Sequence, residues 1–431
     1  MLKYLYIYFS LLAVHPGVLY SQVAPAHIVI VVLENKSFSQ VAGHPLLPYI
    51  TSLLQDPKTA VFSQSHGLTH PSQPNYLQLF SGSDHAVYNN NLPPGLPFST
   101  PNLGASLLKK GFGFAGYSED LPYAGYTGEY AGAYARKHSP WVNWQGNGIN
   151  GIPDTQNKPF TDFPSNFSTL PTVSFIIPNQ DNDMHNGTLD TAFIRCDAWL
   201  QNNLNNYIQW CKSNNSVFML TFDEDDGLQN NRILTFITGE HIIGGVYNQA
   251  LNHYNVLRTI EELYKLPYAG ISADSTAIQY IWNTVAVCKG AGTTLKSKLT
   301  GAAYQWQVNT GNGFIDISNS SNYSGANTSE LQLSNVPSSW YGYEYRCTVN
   351  GSYSNPQKIK ITAYWTGALS TAWENPLNWS CGSLPDENTD VIIHTNQSVI
   401  LNSAVSVRSF TISAGANFTQ NSNQQLLITH Y

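Results

Sequence analysis

Four short runs of continuous β-branched and aromatic residues constrain the fold of this chain most: 27–33 (HIVIVVL), 173–177, 217–222 and 233–238. A strand exposed on one face alternates apolar with polar residues, so runs that are apolar throughout need cover on both faces. Helices supply that cover. Leu189, Phe193, Cys196, Leu200, Leu204, Ile208 and Cys211 recur at steps of three and four and define one apolar helix face. A second helix is predicted over 252–266, with Val256, Ile260, Leu263 and Tyr264 on its buried side. Alternating strands and helices imply an α/β sandwich of three layers around a mostly parallel central sheet. Cys196 and Cys211 stand about 22 Å apart along their helix, too far to bridge, and read as core thiols.

With 431 residues, the chain exceeds one ordinary domain. Its texture changes near Thr284, where short alternating strands separated by Gly, Ser and Asn clusters take over. Hydrophobic residues at 42% and charged residues at only 11% exclude a charge-rich disordered chain. A net charge of −7 argues against a nucleic-acid partner. Residues 1–21 carry one cation, Lys3, an apolar run from Leu5 to Val14 and a His15-Pro16-Gly17 break. They read as a secretory signal too short to span a bilayer, so an exported protein without stable membrane insertion is expected.

In parallel sheets, ligands gather beyond the carboxyl ends of strands. Glu34-Asn35 follows the first run and Asp223-Glu224-Asp225-Asp226-Gly227 follows the third. Carboxylates with an amide oxygen make a hard-oxygen site for a divalent cation, whereas one acidic cluster alone is more often a solvated turn. Ser72 precedes Pro74 at the predicted start of a helix, where a hydroxyl either caps the helix or meets a bound phosphate. Thr69 is the rival hydroxyl, and His70 is balanced between ligand and loop residue. His138 and His185 stand out by context, the latter beside Asp183 just after a buried strand. His253 opens the second helix and stays ambiguous.

Six motifs occur in order: VVLEN, THPSQPNY, YARKHSPWV, IPNQDNDMHNG, TFDEDDG and NHYNVLRTIEELY. From about His27 to Leu266, the chain resembles the bacterial phosphoesterase family of acid phosphatases and non-haemolytic phospholipases C, within the alkaline-phosphatase-like superfamily. The resemblance implies a catalytic domain over 22–285. It implies that Glu34, Asn35, Asp223 and Glu224 hold a divalent metal (Mg, Mn, Ca or Zn), with Ser72 as nucleophile also facing it. His138 and His185 would contact the phosphoryl group or assist the leaving oxygen. Asp183, Asp226, His70 and His253 are further candidates. Related members often carry Asp where this chain has Glu224, and Asp225 or Asp226 could substitute.

The expected activity is that of a secreted acid-phosphatase-type phosphomonoesterase working through a phosphoseryl intermediate on a small phosphate ester. One alternative is a phospholipase C-type phosphodiesterase acting on a phospholipid headgroup. The other is a cell-surface adhesion or glycan-binding protein on an inactive α/β scaffold. A sulfatase signature of the Cys/Ser-x-Pro-x-Arg type is missing.

Cys288, Trp306 and Tyr345 two residues before Cys347 have immunoglobulin-like spacing. Residues 286–363 resemble the immunoglobulin-like modules appended to secreted bacterial enzymes, which implies a Cys288–Cys347 disulfide packed on Trp306 and a spacer or binding role. Residues 364–431 read as a small β-rich or solenoid-like tail, in which Cys381 lacks an evident partner. Trp365, Trp373 and Trp379 of the tail fit core packing better than sugar stacking, although glycan or surface contact through the two β regions stays open.

Overall fold

The computed structural model describes residues 21–22, 24–278, 281–297, 299–393, 397–412 and 416–429. Apart from Ser21, the expected signal lies outside them. Eight strands build the first sheet: β1 (His27–Leu33), β2 (Thr59–His66), β3 (Phe114–Ser118), β4 (Asn157–Pro159), β5 (Val173–Ile177), β6 (Ser216–Phe222), β7 (Arg232–Gly239) and β8 (Gly245–Leu251). Their spatial order is β8-β2-β7-β6-β1-β5-β3-β4. β6, β1, β5, β3 and β4 run parallel, as do β8 and β2. β7 is antiparallel to both its neighbours, so β2 and β8 again point along β1.

Alternate residues of β1 enter different cores. Ile28, Ile30 and Val32 pack with Leu77, Phe80, Leu257 and Ile260, whereas Val29, Val31 and Leu33 pack with Leu53, Phe193, Leu200 and Leu204. The helices Ser72–Ser81 and His253–Leu263 therefore cover one face of the sheet, and Pro48–Leu54 and Leu189–Cys211 the other. This is why the apolar runs show no alternation. Cys196 and Cys211 are free buried thiols. Among the described residues, no helix is long and apolar enough to cross a membrane.

Seven of the eight strands point the same way and end at one edge of the sheet, at Leu33 of β1, His66 of β2, Ser118 of β3, Pro159 of β4, Ile177 of β5, Phe222 of β6 and Leu251 of β8. The helix after β2 starts at Ser72 and ends at Gly82, whose φ of 70° closes it in the left-handed region. A Cβ at Gly82 would lie 1.9 Å from the Ala269 carbonyl oxygen, so only glycine fits this close approach.

Beyond Thr284 the chain is β-rich. The strands Thr284–Val287, Gln357–Tyr364, Glu344–Val349 and Tyr304–Asn309 neighbour one another in that order in one sheet. A second sheet holds Thr293–Lys296, Glu330–Leu333 and Tyr323–Ser324. Trp306, Tyr345, Cys347, Leu331 and Ile359 fill the core they share.

The expected Cys288–Cys347 bridge is not formed. Cys288 pairs with Cys381, and Cys347 is a free buried thiol. A bridge between facing sheets needs its cysteines on opposite sheets, but here Cys288 follows a strand of the same sheet as Cys347, with Gln357–Tyr364 between them. Two inter-strand spacings of about 4.8 Å exceed the reach of a disulfide. The Tyr345 hydroxyl likewise meets the Tyr323 hydroxyl at 3.3 Å, not backbone as in a tyrosine corner.

In the tail, Asp390–Ile393 pairs in parallel with Ser409–Ile412, Ser398–Leu401 with Asn417–Gln420, and Val405–Val407 with Leu426–Ile428. Two successive coils thus stack as in a solenoid. Trp365, Trp373 and Trp379 are buried in their shared core, which leaves their faces unavailable for stacking on sugars.

Candidate active site

The site lies where the parallel strands end. Glu34, fully buried directly after β1, is its centre. Ser72, the first helical residue after the Pro71 N-cap, does not cap the helix with its side chain. Its hydroxyl instead sits between two carboxylates and donates to Glu34 Oε2 at 3.1 Å and Glu224 Oε1 at 3.2 Å. Thr69, by contrast, donates to the neighbouring His70 carbonyl oxygen, and its backbone is clamped by Asn75.

Glu34 Oε1 accepts from the buried Tyr76 hydroxyl at 2.6 Å and lies 3.1 Å from His138 Nε2. His138, also buried, stacks on the Tyr76 ring and places its Nδ1 3.6 Å from Asp183 Oδ2. Asp223 Oδ1 accepts the N–H groups of Asn35 and Glu224, which ties the ends of β1 and β6 together. The Glu34 N–H reaches the Asp183 carbonyl, joining the connection after β5. Two non-glycine residues here adopt left-handed backbone: Asn35 with φ 52° and Met184 with φ 81°. Asn tolerates that region, but for Met184 it is strain held beside the acids, the kind concentrated at functional sites.

Burial sets the electrostatics. It pushes the Glu34 carboxyl up, yet His138, Lys137 and the Tyr76 hydroxyl outweigh it and hold Glu34 well below the usual carboxylate range. Burial, then the charge of Glu34, drives Asp183 and Asp223 well above that range and Glu224 to about 8. Burial likewise lowers His138. Four carboxyl groups are thus crowded together without enough positive charge to ionise them all.

The donor set fits a cation. Glu34, His138 and Asp183 each offer a ligand atom, all within 4.8 Å of one another. Asp183 Oδ2, Asp223 Oδ2 and Asn35 Oδ1 are buried without a hydrogen-bond partner among the described residues. Carboxylate oxygens can only accept, so orphaned buried ones suit a hard cation.

A model of the phosphoesterase family matches residues 45–267, more than half of the chain. The chain belongs to that family. The family match spans the connections that carry Ser72, His138, Asp183 and Glu224. A phosphatidylinositol-3-phosphatase of Mycobacterium tuberculosis is 45% identical over 259 residues, which cover 60% of this chain and 83% of that protein. A probable acid phosphatase of Kluyveromyces lactis is 28% identical, covering 60% and 63%, and an acid phosphatase of Aspergillus niger is 27% identical, covering 55% and 58%. The chain thus spans somewhat over half the length of these fungal relatives. A solved structure from Vibrio parahaemolyticus, described as a protein in the alkaline phosphatase superfamily, is similar at 13% identity and a TM-score of 0.44, covering 61% of this chain and 75% of that one. A further model, described as a domain of unknown function, matches residues 364–431. This member of the phosphoesterase family is an enzyme, a phosphoric ester hydrolase.

The remaining sequence candidates divide by position. His70 sits on the rim, half exposed, with Nδ1 2.9 Å from Glu224 Oε2 and Nε2 3.3 Å from Asp225 Oδ1. His185 is exposed and contacts Asn186, while its N–H donates to Asp183 Oδ1. His253 is buried beneath the acids, with Nε2 2.9 Å from the Phe222 carbonyl oxygen. Both carboxylate oxygens of Asp225 take backbone N–H groups of its own loop, at Gly227 and Gln229, which makes it a loop staple. Asp226 keeps one buried oxygen without a partner among the described residues.

Two residues escaped the sequence reading. Tyr76 holds Glu34, and Asn75 bridges the Leu68 and Thr69 N–H groups, the Thr69 carbonyl and Glu224 Oε2. With Ser72 they stand at i, i+3 and i+4, so a polar stripe on one helix face was the available signal.

Proposed function

We propose that this chain is a secreted, metal-dependent phosphomonoesterase with an alkaline-phosphatase-like catalytic domain over 22–285, in which Ser72 is the nucleophile. The observation that carries this reading is the Ser72 hydroxyl held between Glu34 and Glu224 at the amino end of a buried helix. Glu34, Asp183 and His138 would hold a divalent cation, with Asp223, Glu224 and Asn35 beside it. Such a cation supplies positive charge against the phosphate oxygens and lowers the pKa of a nearby hydroxyl.

The residues of the chain do the rest. Ser72 attacks phosphorus in line and passes its proton to a carboxylate it already donates to. The phosphorus–ester oxygen bond breaks, and the leaving alcohol takes a proton from a rim histidine, His185 or His70, both open to solvent. Water then releases phosphate from the seryl ester. His138, sealed between Glu34 and Asp183, would serve with them in holding the cation and is too buried to meet the leaving group. Tyr76 and Asn75 orient Glu34 and Glu224.

The relative named as a phosphatidylinositol-3-phosphatase supports a substrate class that includes phosphate monoesters on lipid headgroups. The experiment compares inorganic phosphate released from p-nitrophenyl phosphate and phosphatidylinositol 3-phosphate with phosphocholine released from lecithin, in EDTA-treated protein given Mg²⁺, Mn²⁺, Ca²⁺ or Zn²⁺ separately. Metal-dependent phosphate release, abolished in Ser72→Ala and kept in Thr69→Ala, is expected. Phosphocholine release at a higher rate would establish the phospholipase C alternative, and inactivity with every metal would refute the metal-dependent phosphomonoesterase reading.

A further inference from the structure

Arg136 and Lys137 form consecutive cations on the short 3-10 turn Arg136–His138, directly before the buried His138. Arg136 is 5% exposed, yet its Nε has no hydrogen-bond partner among the described residues. Lys137 is half-buried and likewise forms no ion pair or hydrogen bond with them. The two cations share a small crevice with Gln73, Asn90, Leu92, Glu129 and Tyr130. Gln73 is the residue next to Ser72, and its amide and backbone are pinned to the 89–91 loop. Glu129, the crevice's one acid, is exposed; its carbonyl accepts the Arg136 N–H and its charge acts on Arg136 from a distance, but it forms no ion pair with either cation.

A guanidinium so deeply buried costs free energy unless it meets an anion. The Lys137 charge acts on Glu34, Asp183 and Glu224, so the ammonium stands within electrostatic reach of the acid cluster although it is bonded to none of it. At that range the Lys137 charge helps to hold Glu34 ionised, yet among the described residues no acid oxygen takes a hydrogen bond from the ammonium, whose donors stay open to a ligand. A phosphoryl group seated at Ser72 can take them, because its outer oxygens face away from the acids and carry the second negative charge of a monoester dianion.

We propose that Lys137, backed by Arg136, binds the outer phosphoryl oxygens and makes the site selective for dianionic monoesters over monoanionic diesters. This rests on the phosphomonoesterase reading and names what selects its substrate. A diester replaces one charged oxygen by an ester arm and gains less from the ammonium.

The test uses full-length protein with metal supplied, comparing wild type with Lys137→Gln and Lys137→Arg. Three measurements are made: kcat and KM on p-nitrophenyl phosphate, kcat/KM on bis(p-nitrophenyl) phosphate, and calorimetric binding of inorganic phosphate. In K137Q, the loss of one charge-assisted contact predicts about a 100-fold lower kcat/KM on the monoester, at most about a threefold change on the diester, and phosphate binding weakened at least about tenfold. Lys137→Arg should recover most of the loss. Equal losses on both esters, or phosphate binding that K137Q leaves unchanged, would overturn the inference. Wild type that prefers the diester would overturn the functional reading instead, while the phosphate titration would still decide the role of Lys137.

Discussion

Replacing Tyr76 by Phe removes one oxygen from the most buried part of the site and little else. The ring stays where it stacks on His138, at 5.1 Å between centroids and 20° between planes. What is lost is the 2.6 Å hydrogen bond to Glu34 Oε1. Tyr76 is 1% exposed and Glu34 is fully buried, so water has no easy route to replace the hydroxyl. A hydrogen bond to a charged group contributes about 1.5–3 kcal/mol. At about 1.4 kcal/mol per decade, its loss is worth roughly 10- to 150-fold in whatever equilibrium depends on Glu34. Partners of metal-ligating carboxylates usually cost 10- to 100-fold in metal affinity when removed, at about the same scale. The assay is activity on p-nitrophenyl phosphate against free metal concentration after EDTA treatment, with thermal unfolding as a control for folding. Y76F should shift the half-saturating metal concentration upward by about tenfold or more, with wild-type-like activity at saturation. A midpoint within twofold of wild type would refute the placement of Glu34 at the metal.

Further outcomes follow from other parts of the molecule. Peptide mapping under non-reducing conditions should recover Cys288 joined to Cys381 with Cys347 free, and Cys288→Ser with Cys381→Ser should cost up to about 4.7 kcal/mol for a 93-residue loop while sparing phosphatase activity. Gly116→Ala would put a Cβ 2.1 Å from the buried Trp141 ring. It should therefore cost more than about 1–3 kcal/mol in denaturant melts and lower activity by displacing the turn that carries His138. Glu261 is pushed up to about 7 by burial, against the hydrogen bonds from Ser272 and the Ala269 N–H. Between the unfolded glutamate value near 4.5 and about 7, the folded protein holds a proton that the unfolded chain has released, so stability is greatest below that window and falls as pH rises through it, by up to about 3 kcal/mol. Denaturant melts at pH 5 and pH 8 should show a smaller loss of stability in Glu261→Gln than in wild type, the difference being up to about 3 kcal/mol, while the raised acids of the active site keep their own share of the slope.

The segments that make the catalytic sheet were legible in the sequence because their physics is local. A seven-residue apolar run such as His27–Leu33 has no polar face, so it can only be a strand covered twice, and the helix over Leu189–Cys211 follows from its steps of three and four. Strand-end acids were legible for the same reason: Glu34, Asp223 and Glu224 directly follow runs whose ends are plain. Pairings between distant segments were not legible, because they depend on strand order, which periodicity does not encode. Asp183 and His138 meet Glu34 only because β5 and β1 are neighbours and the Arg136–His138 turn lies over the helix that starts at Ser72. Cys288 pairs with Cys381 and not Cys347 for a like reason, since the order of one sheet puts a strand between the first cysteine and the expected partner. By itself the sequence determined which stretches are strands and helices and which polar groups stand at their ends. Only the tertiary structure decided which of those groups share a site, because proximity across a sheet is set by long-range packing and not by spacing along the chain.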